Sequence, residues 1–164
     1  MKLELKSIKH TAWASEETHC YQANLYVDGK PVAVVSNDGH GGCDRDYDHP
    51  KFKGDYRLVM KSIEEYFESL PPSPFSYEGS DGVMVHDTLP QTLESWCCDQ
   101  VNDWLAAREL RSKMRNTLLF QKEGEDGVYG SKYYPTVTDG SWVNGRRILN
   151  DMPFADALEI WKAT

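Results

Sequence analysis

Side chains able to do chemistry crowd one short stretch of this 164-residue sequence, Ser36-Asn37-Asp38-Gly39-His40-Gly41-Gly42-Cys43-Asp44-Arg45-Asp46-Tyr47-Asp48-His49-Pro50. A thiol becomes a nucleophile when a histidine takes its proton. Cys43, with His40, His49 or His19 as base and Asp38 to orient the ring, therefore has the parts of a cysteine–histidine pair. The glycines would offer backbone N–H groups to an oxyanion. Two features oppose this reading. The aspartates flanking Cys43 would raise its pKa rather than lower it, and no Gly-x-Ser-x-Gly elbow accompanies the His40-Gly41-Gly42 run.

The same stretch offers metal donors. His40 and Cys43 stand two residues apart, a separation at which a chain can wrap a zinc ion, and His49 is the nearest further ligand, with His19 or Cys20 beyond it. His19 and Cys20 are adjacent, so on a strand they point to opposite faces and only one could join. For a hard cation, Asp44, Asp46 and Asp48 fall at positions one, three and five of a calcium loop and Asp55 at twelve. Position six, however, is His49 where glycine is required. Zinc or another divalent cation is thus the cofactor this stretch would take. Phosphate is disfavoured, because no glycine-rich phosphate fingerprint is present and the aspartates repel it. The plain alternative is a Gly/Asp-rich loop leaving a strand, with glycine supplying positive φ and aspartate making local turns.

The elements that must position this loop are legible around it. Leu3–Ile8, Tyr21–Val27 and Lys30–Val35 alternate with period two and predict strands. Asp28-Gly29 between the last two predicts a two-residue type I′ hairpin. Counting back from Val27 opposite Lys30 pairs Leu25 with Val32, Ala23 with Val34 and Tyr21 with Ser36. A ladder continued further would set His19 against Asp38 and Glu17 against His40. Residues 55–70 carry apolar side chains at spacings of three and four and predict a helix ended by Pro71-Pro72. Its paired Glu64 and Glu65 read as a solvated face. Residues 71–88 read as a long loop with a short strand at Val83–Val85.

A second helix is expected from Thr88, with Gln91 completing a capping box. Arg108, Arg111, Lys113 and Arg115 near its end complement the helix dipole or form an anion site. Strands at 117–121 and 128–134, a short one at 147–149, and a helix capped by Asn150 or Asp151 complete the chain. Strands grouped with strands and helices between them predict an α+β fold, an antiparallel sheet of hairpins against two or three helices, in a single domain spanning 1–164.

Composition bounds the function. Hydrophobic residues at 40% and charged residues at 27% describe a chain that folds. Four cysteines, two of them adjacent, do not make a disulfide scaffold. With no apolar run long enough to span a bilayer and no signal core at the N-terminus, the expectation is a cytoplasmic protein off the membrane. A formal net charge of −8 opposes direct nucleic-acid binding, which requires cations to displace counterions. The acidity would instead suit a protein partner with a basic surface, met through Asp44, Asp46 and Asp48. Trp142 at the Asn144-Gly145 turn, and Tyr129, Tyr133 and Tyr134, are further contact candidates. The tail Ile148-Leu149-Asn150-Asp151-Met152-Pro153-Phe154 and its amphipathic helix resemble small bacteriophage proteins, a likeness that implies no mechanism. The expectation is an acidic interaction protein, of the kind that inhibits by occupying a partner's nucleic-acid-binding groove. The alternative is a small hydrolase or metal-binding protein using the 36–49 loop.

Overall fold

The structure is a computed structural model describing residues 1–80, 82–122, 124–131 and 146–164. Among the described residues, antiparallel hairpin sheets and three α-helices make the fold α+β. The chain divides into two compact units, Met1–Val101 and Asn102–Thr164.

In the first unit a four-stranded antiparallel meander runs in chain order: β1 (Leu3–His10), β2 (Tyr21–Val27), β3 (Lys30–Asn37) and β4 (Arg45–Asp48). The expected turn is present, with φ of +47° at Asp28 and +79° at Gly29, and Val27 faces Lys30. The register beyond it differs from the one counted in sequence. Tyr26 faces Pro31 but Leu25 faces Ala33, because a bulge at Val32 inserts one residue into β3. Ala23 therefore meets Val35, and Tyr21 meets Asn37. This one-residue slip brings Asn37, rather than Ser36, to the mouth of the hairpin. β3 lies between two strands and buries Val32, Ala33, Val34 and Val35 in succession, the pattern of a strand covered on both faces. Burial of side chains such as Leu25 and Val35 contributes roughly 1.5–3 kcal/mol each.

Helix α1 (Tyr56–Glu68) begins where Asp55 accepts the Leu58 N–H at 3.1 Å, and it buries Ile63 and Phe67. Residues 71–88 correct the expectation of a loop. They form a two-stranded antiparallel hairpin of β5 (Ser73–Glu78) and β6 (Met84–Leu89). Ten of its twelve strand residues are exposed, so no buried face existed to impose an alternating pattern. Helix α2 (Leu93–Asn116) starts later than Thr88, which lies in β6. Its capping box is Thr92 with Ser95: the Ser95 N–H donates to Thr92 Oγ1 at 3.1 Å and the Thr92 N–H to Ser95 Oγ at 3.0 Å.

In the second unit β7 (Leu118–Lys122) pairs with both β8 (Val128–Ser131) and β9 (Arg146–Ile148), and α3 (Phe154–Lys162) follows. Leu110, Leu119, Leu149 and Ala157 form its core, flanked by Met114, Phe154 and Trp161. Neither Asn150 nor Asp151 caps α3; Pro153 holds that position. Asn150 instead accepts the Leu119 N–H at 2.7 Å and donates to the Met114 and Thr117 carbonyls at 3.1 and 3.2 Å. It thus satisfies carbonyls that the end of α2 leaves open. The basic residues near that end are engaged by aromatic rings. Arg111 lies 4.3 Å from the Phe154 centroid, Lys113 5.4 Å from that of Trp161, and Arg108 5.5 Å from that of Trp104. Among the described residues no helix is long and apolar enough to cross a membrane.

Candidate functional site

The 38–44 loop is organised by a residue that sequence reasoning did not single out. Asn37, buried at the end of β3, uses all four hydrogen-bonding positions of its amide. Its Oδ1 accepts from Thr18 Oγ1 at 2.7 Å and from the Gly39 N–H at 2.9 Å. Its Nδ2 donates to the Gly42 carbonyl at 2.8 Å and to Asp44 Oδ1 at 3.0 Å. The Gly39 carbonyl in turn accepts from the N–H groups of Glu16, Glu17 and Thr18. Gly39 has a φ of +91°, and a Cβ there would stand 1.9 Å from the Ala14 carbonyl oxygen. The loop and the 11–20 segment are therefore clasped backbone to backbone.

That clasp fixes the expected catalytic residues in separate places. His40 is exposed and its Nδ1 lies 3.2 Å from Glu16 Oε2, where the register count set Glu17. Asp38 takes Arg45, 2.9 Å from its Oδ2, rather than a histidine. Cys43 is an exposed free thiol. His19 sits edge-on to His10 with ring centroids 5.4 Å apart. His49 accepts the Lys51 N–H on its Nδ1 at 3.1 Å. Among the described residues no group of three or more His, Cys, Asp or Glu is gathered as a metal ion would need, so His40, Cys43 and His49 do not converge. Asp55, the twelfth position of the calcium spacing, is the cap of α1. Ser15 meets His10 Nε2 at 3.2 Å, but its hydroxyl already donates to the Thr11 carbonyl and accepts the Cys20 N–H, both at 2.9 Å. The serine's one proton is thus spent on bracing its loop, and toward His10 it can only accept. Trp142 lies outside the described residues.

What the fold does bring together lies on the other side of the aspartate run. A cleft of about 680 Å³ opens between β4, α1 and the first turns of α2. Val35, Ile63, Phe67 and Cys97, all buried, line its floor. Asp44, Asp46, Glu64, Glu68 and Glu94 line it as well, against Arg57 and Lys61. Asp44, the residue before β4, and Asp46 within it both face the cleft. Tyrosines hold both: Tyr21 donates its hydroxyl to Asp44 Oδ2 and Tyr56 to Asp46 Oδ2. Glu94 Oε1 accepts the Asp44 N–H at 3.2 Å. No family model, curated protein or solved structure matches this chain.

The electrostatics follow from this arrangement. Burial, then the Asp44 carboxylate, pushes the Tyr21 hydroxyl far above the ordinary tyrosine range, and burial with Asp46 does the same to Tyr56. Cys97 is pushed up to about 12, first by burial and then by Asp44. At neutral pH the phenols and this thiol stay protonated, so the cleft's charge is that of its side-chain carboxylates and cations. Five carboxylates against two cations leave it negative. Glu64 escaped sequence reasoning because helix periodicity assigns it, with Glu65, to a solvated face, and Glu68 was not singled out. Only the approach of β4 turns that face into a wall.

Proposed function

We propose that this chain is an acidic protein-interaction module whose first unit engages a basic surface on a protein partner. The observation that carries this reading is the edge strand β4. All four of its residues are exposed, and Asp46 within it and Asp44 just before it line the negative cleft, with Asp48 close enough to act on Tyr56. Such a row of carboxylates is complementary to the cationic grooves with which proteins hold nucleic acid, so occupation of such a groove is the inhibitory form of the proposal. The catalytic alternative gains no support from the loop, where the His40 ring meets Glu16, and Asp38 meets Arg45 and only the backbone N–H of His40.

The test is binding of an arginine-rich peptide and a glutamate-rich control, followed by anisotropy. The basic peptide should bind and weaken at least tenfold between about 0.05 M and about 0.3 M salt, as the screening length shrinks below about 10 Å. Replacement of Asp46 and Asp48 by Asn should reduce binding at low salt. Equal binding of both peptides, or none of the basic one at low salt, would overturn the proposal.

A further inference from the structure

The cleft has two properties that constrain its occupant jointly. Its lining combines half-buried apolar surface at Tyr56, Met60 and Leu93 with the buried Ile63 and Phe67, which together form an apolar floor. Its wall carries carboxylates in excess over cations. An anion is repelled by the wall, and a neutral apolar group would strip water from charges without replacing it. A compact metal ion requires donors converging on one point, and none converge in this way among the described residues. The remaining class is a cation with an apolar stem and a head broad enough to reach several separated carboxylates. A guanidinium on three methylenes fits: it is planar, weakly hydrated and presents five N–H donors, whereas an ammonium is a compact and strongly hydrated point charge.

We infer that this cleft is a socket for an arginine side chain of the basic partner, its stem lying on the apolar floor and its guanidinium meeting Asp46 and the wall glutamates. The inference rests on the partner reading above and names where that partner is anchored. The volume of about 680 Å³ is in the range of sites that enclose small ligands, and it leaves room for the residues flanking the arginine. Asp44 is already committed through both oxygens, to Tyr21 and Asn37. It acts mainly as a fixed charge. Asp46 gives Oδ2 to Tyr56, while its Oδ1 has no hydrogen bond among the described residues, so one tyrosine orients a carboxylate that still has an oxygen to offer. The half-buried Tyr56 ring in the lining adds cation–π attraction.

The experiment is a titration of the full chain with acetyl-arginine methylamide and its uncharged isostere, acetyl-citrulline methylamide, read by the Met60 methyl and Tyr56 ring NMR signals. The arginine-rich peptide follows under the same conditions. The arginine probe should move both signals saturably. The isostere should bind at least about tenfold more weakly, a difference of about 1.4 kcal/mol. The peptide should move the same signals and be displaced by the probe. Asp46→Asn with Glu68→Gln, both at exposed side chains, should weaken the probe about tenfold with an unchanged circular dichroism spectrum. Equal binding of arginine and citrulline probes overturns the socket. Salt-sensitive peptide binding that leaves Met60 and Tyr56 unmoved overturns the socket while leaving the partner reading intact. A probe that binds in the cleft while the peptide does not bind anywhere overturns the partner reading, and with it the assignment of the arginine to a protein.

Discussion

Asn37 offers the sharpest quantitative test of how this fold holds its loop. Asn37→Ala removes four hydrogen bonds, to Thr18, Gly39, Gly42 and Asp44. Gly42 and the Thr18 hydroxyl can recruit water or turn elsewhere, but the Gly39 N–H is buried and loses its acceptor. With about 1 kcal/mol for each of the three replaceable bonds and about 1–3 kcal/mol for the stranded group, the loss is roughly 4–6 kcal/mol. For a chain of this size that lowers the midpoint of the first unit's thermal transition by about 8–24 °C. Asn37→Asp keeps the shape but puts a carboxylate oxygen where Nδ2 now lies, 3.0 Å from Asp44 Oδ1 and 2.8 Å from the Gly42 carbonyl.

That repulsion raises the new carboxyl's pKa in the folded state above the unfolded value of about 3.9. The variant's deficit relative to the parent should therefore be smallest below that value and grow as pH rises through the folded pKa. Circular dichroism melts of the parent and both variants at acidic and neutral pH decide the matter. An alanine variant melting within about 1 °C of the parent, or an aspartate variant whose deficit ignores pH, would refute the hub.

Other perturbations separate local causes. Gly39→Ala meets both positive φ and the Ala14 carbonyl, while Gly29→Ala meets positive φ with nothing within 4 Å, so in urea melts the first should cost several kcal/mol and the second only about 1 kcal/mol. Asn150→Ala strands the Leu119 N–H and two carbonyls, and should lower the stability of the second unit by about 2–3 kcal/mol in the same assay. In mass-spectrometric alkylation at mildly alkaline pH, Cys43 and Cys98 should react in the native protein. Cys97, buried and protonated, should react only on unfolding. Tyr21 and Tyr56 should ionise after the other tyrosines in an alkaline absorbance titration. Because their folded pKa values are raised, the stability they contribute is intact below the unfolded tyrosine value of about 10 and is lost as pH climbs past it.

Much of the architecture was legible because its signals are local. Asp28-Gly29 specifies a turn by backbone conformation alone, and the spacing from Tyr56 to Phe67 specifies a helix whether or not its partner is known. Register was not legible past the turn, since the bulge at Val32 reflects packing of β3 between two strands rather than any property of the Val-Ala-Val-Val run. The β5–β6 hairpin was hidden for the opposite reason, because it buries so little that hydrophobicity has nothing to report. For the candidate site, proximity along the chain groups these aspartates differently from the fold. Asp44 and Asp46 are contiguous with the histidines and Cys43, yet the start of β4 brings them to Tyr21, Tyr56 and the helical glutamates. Such convergence is tertiary, and no spacing along the chain encodes it.

The exposed edge strand has a consequence for how anything can approach it. An open strand normally invites another chain to extend the sheet by backbone hydrogen bonding, the route by which native proteins also begin to aggregate. Here the outermost strand reads Arg-Asp-Tyr-Asp, so an added strand would have to lay its backbone beside a row of charges, a geometry such edges discourage. The same aspartates that would draw in a cationic side chain thus refuse a generic backbone. Selection at this edge falls to side-chain identity, and sticking to other copies of the chain is suppressed by the groups that would do the recognising.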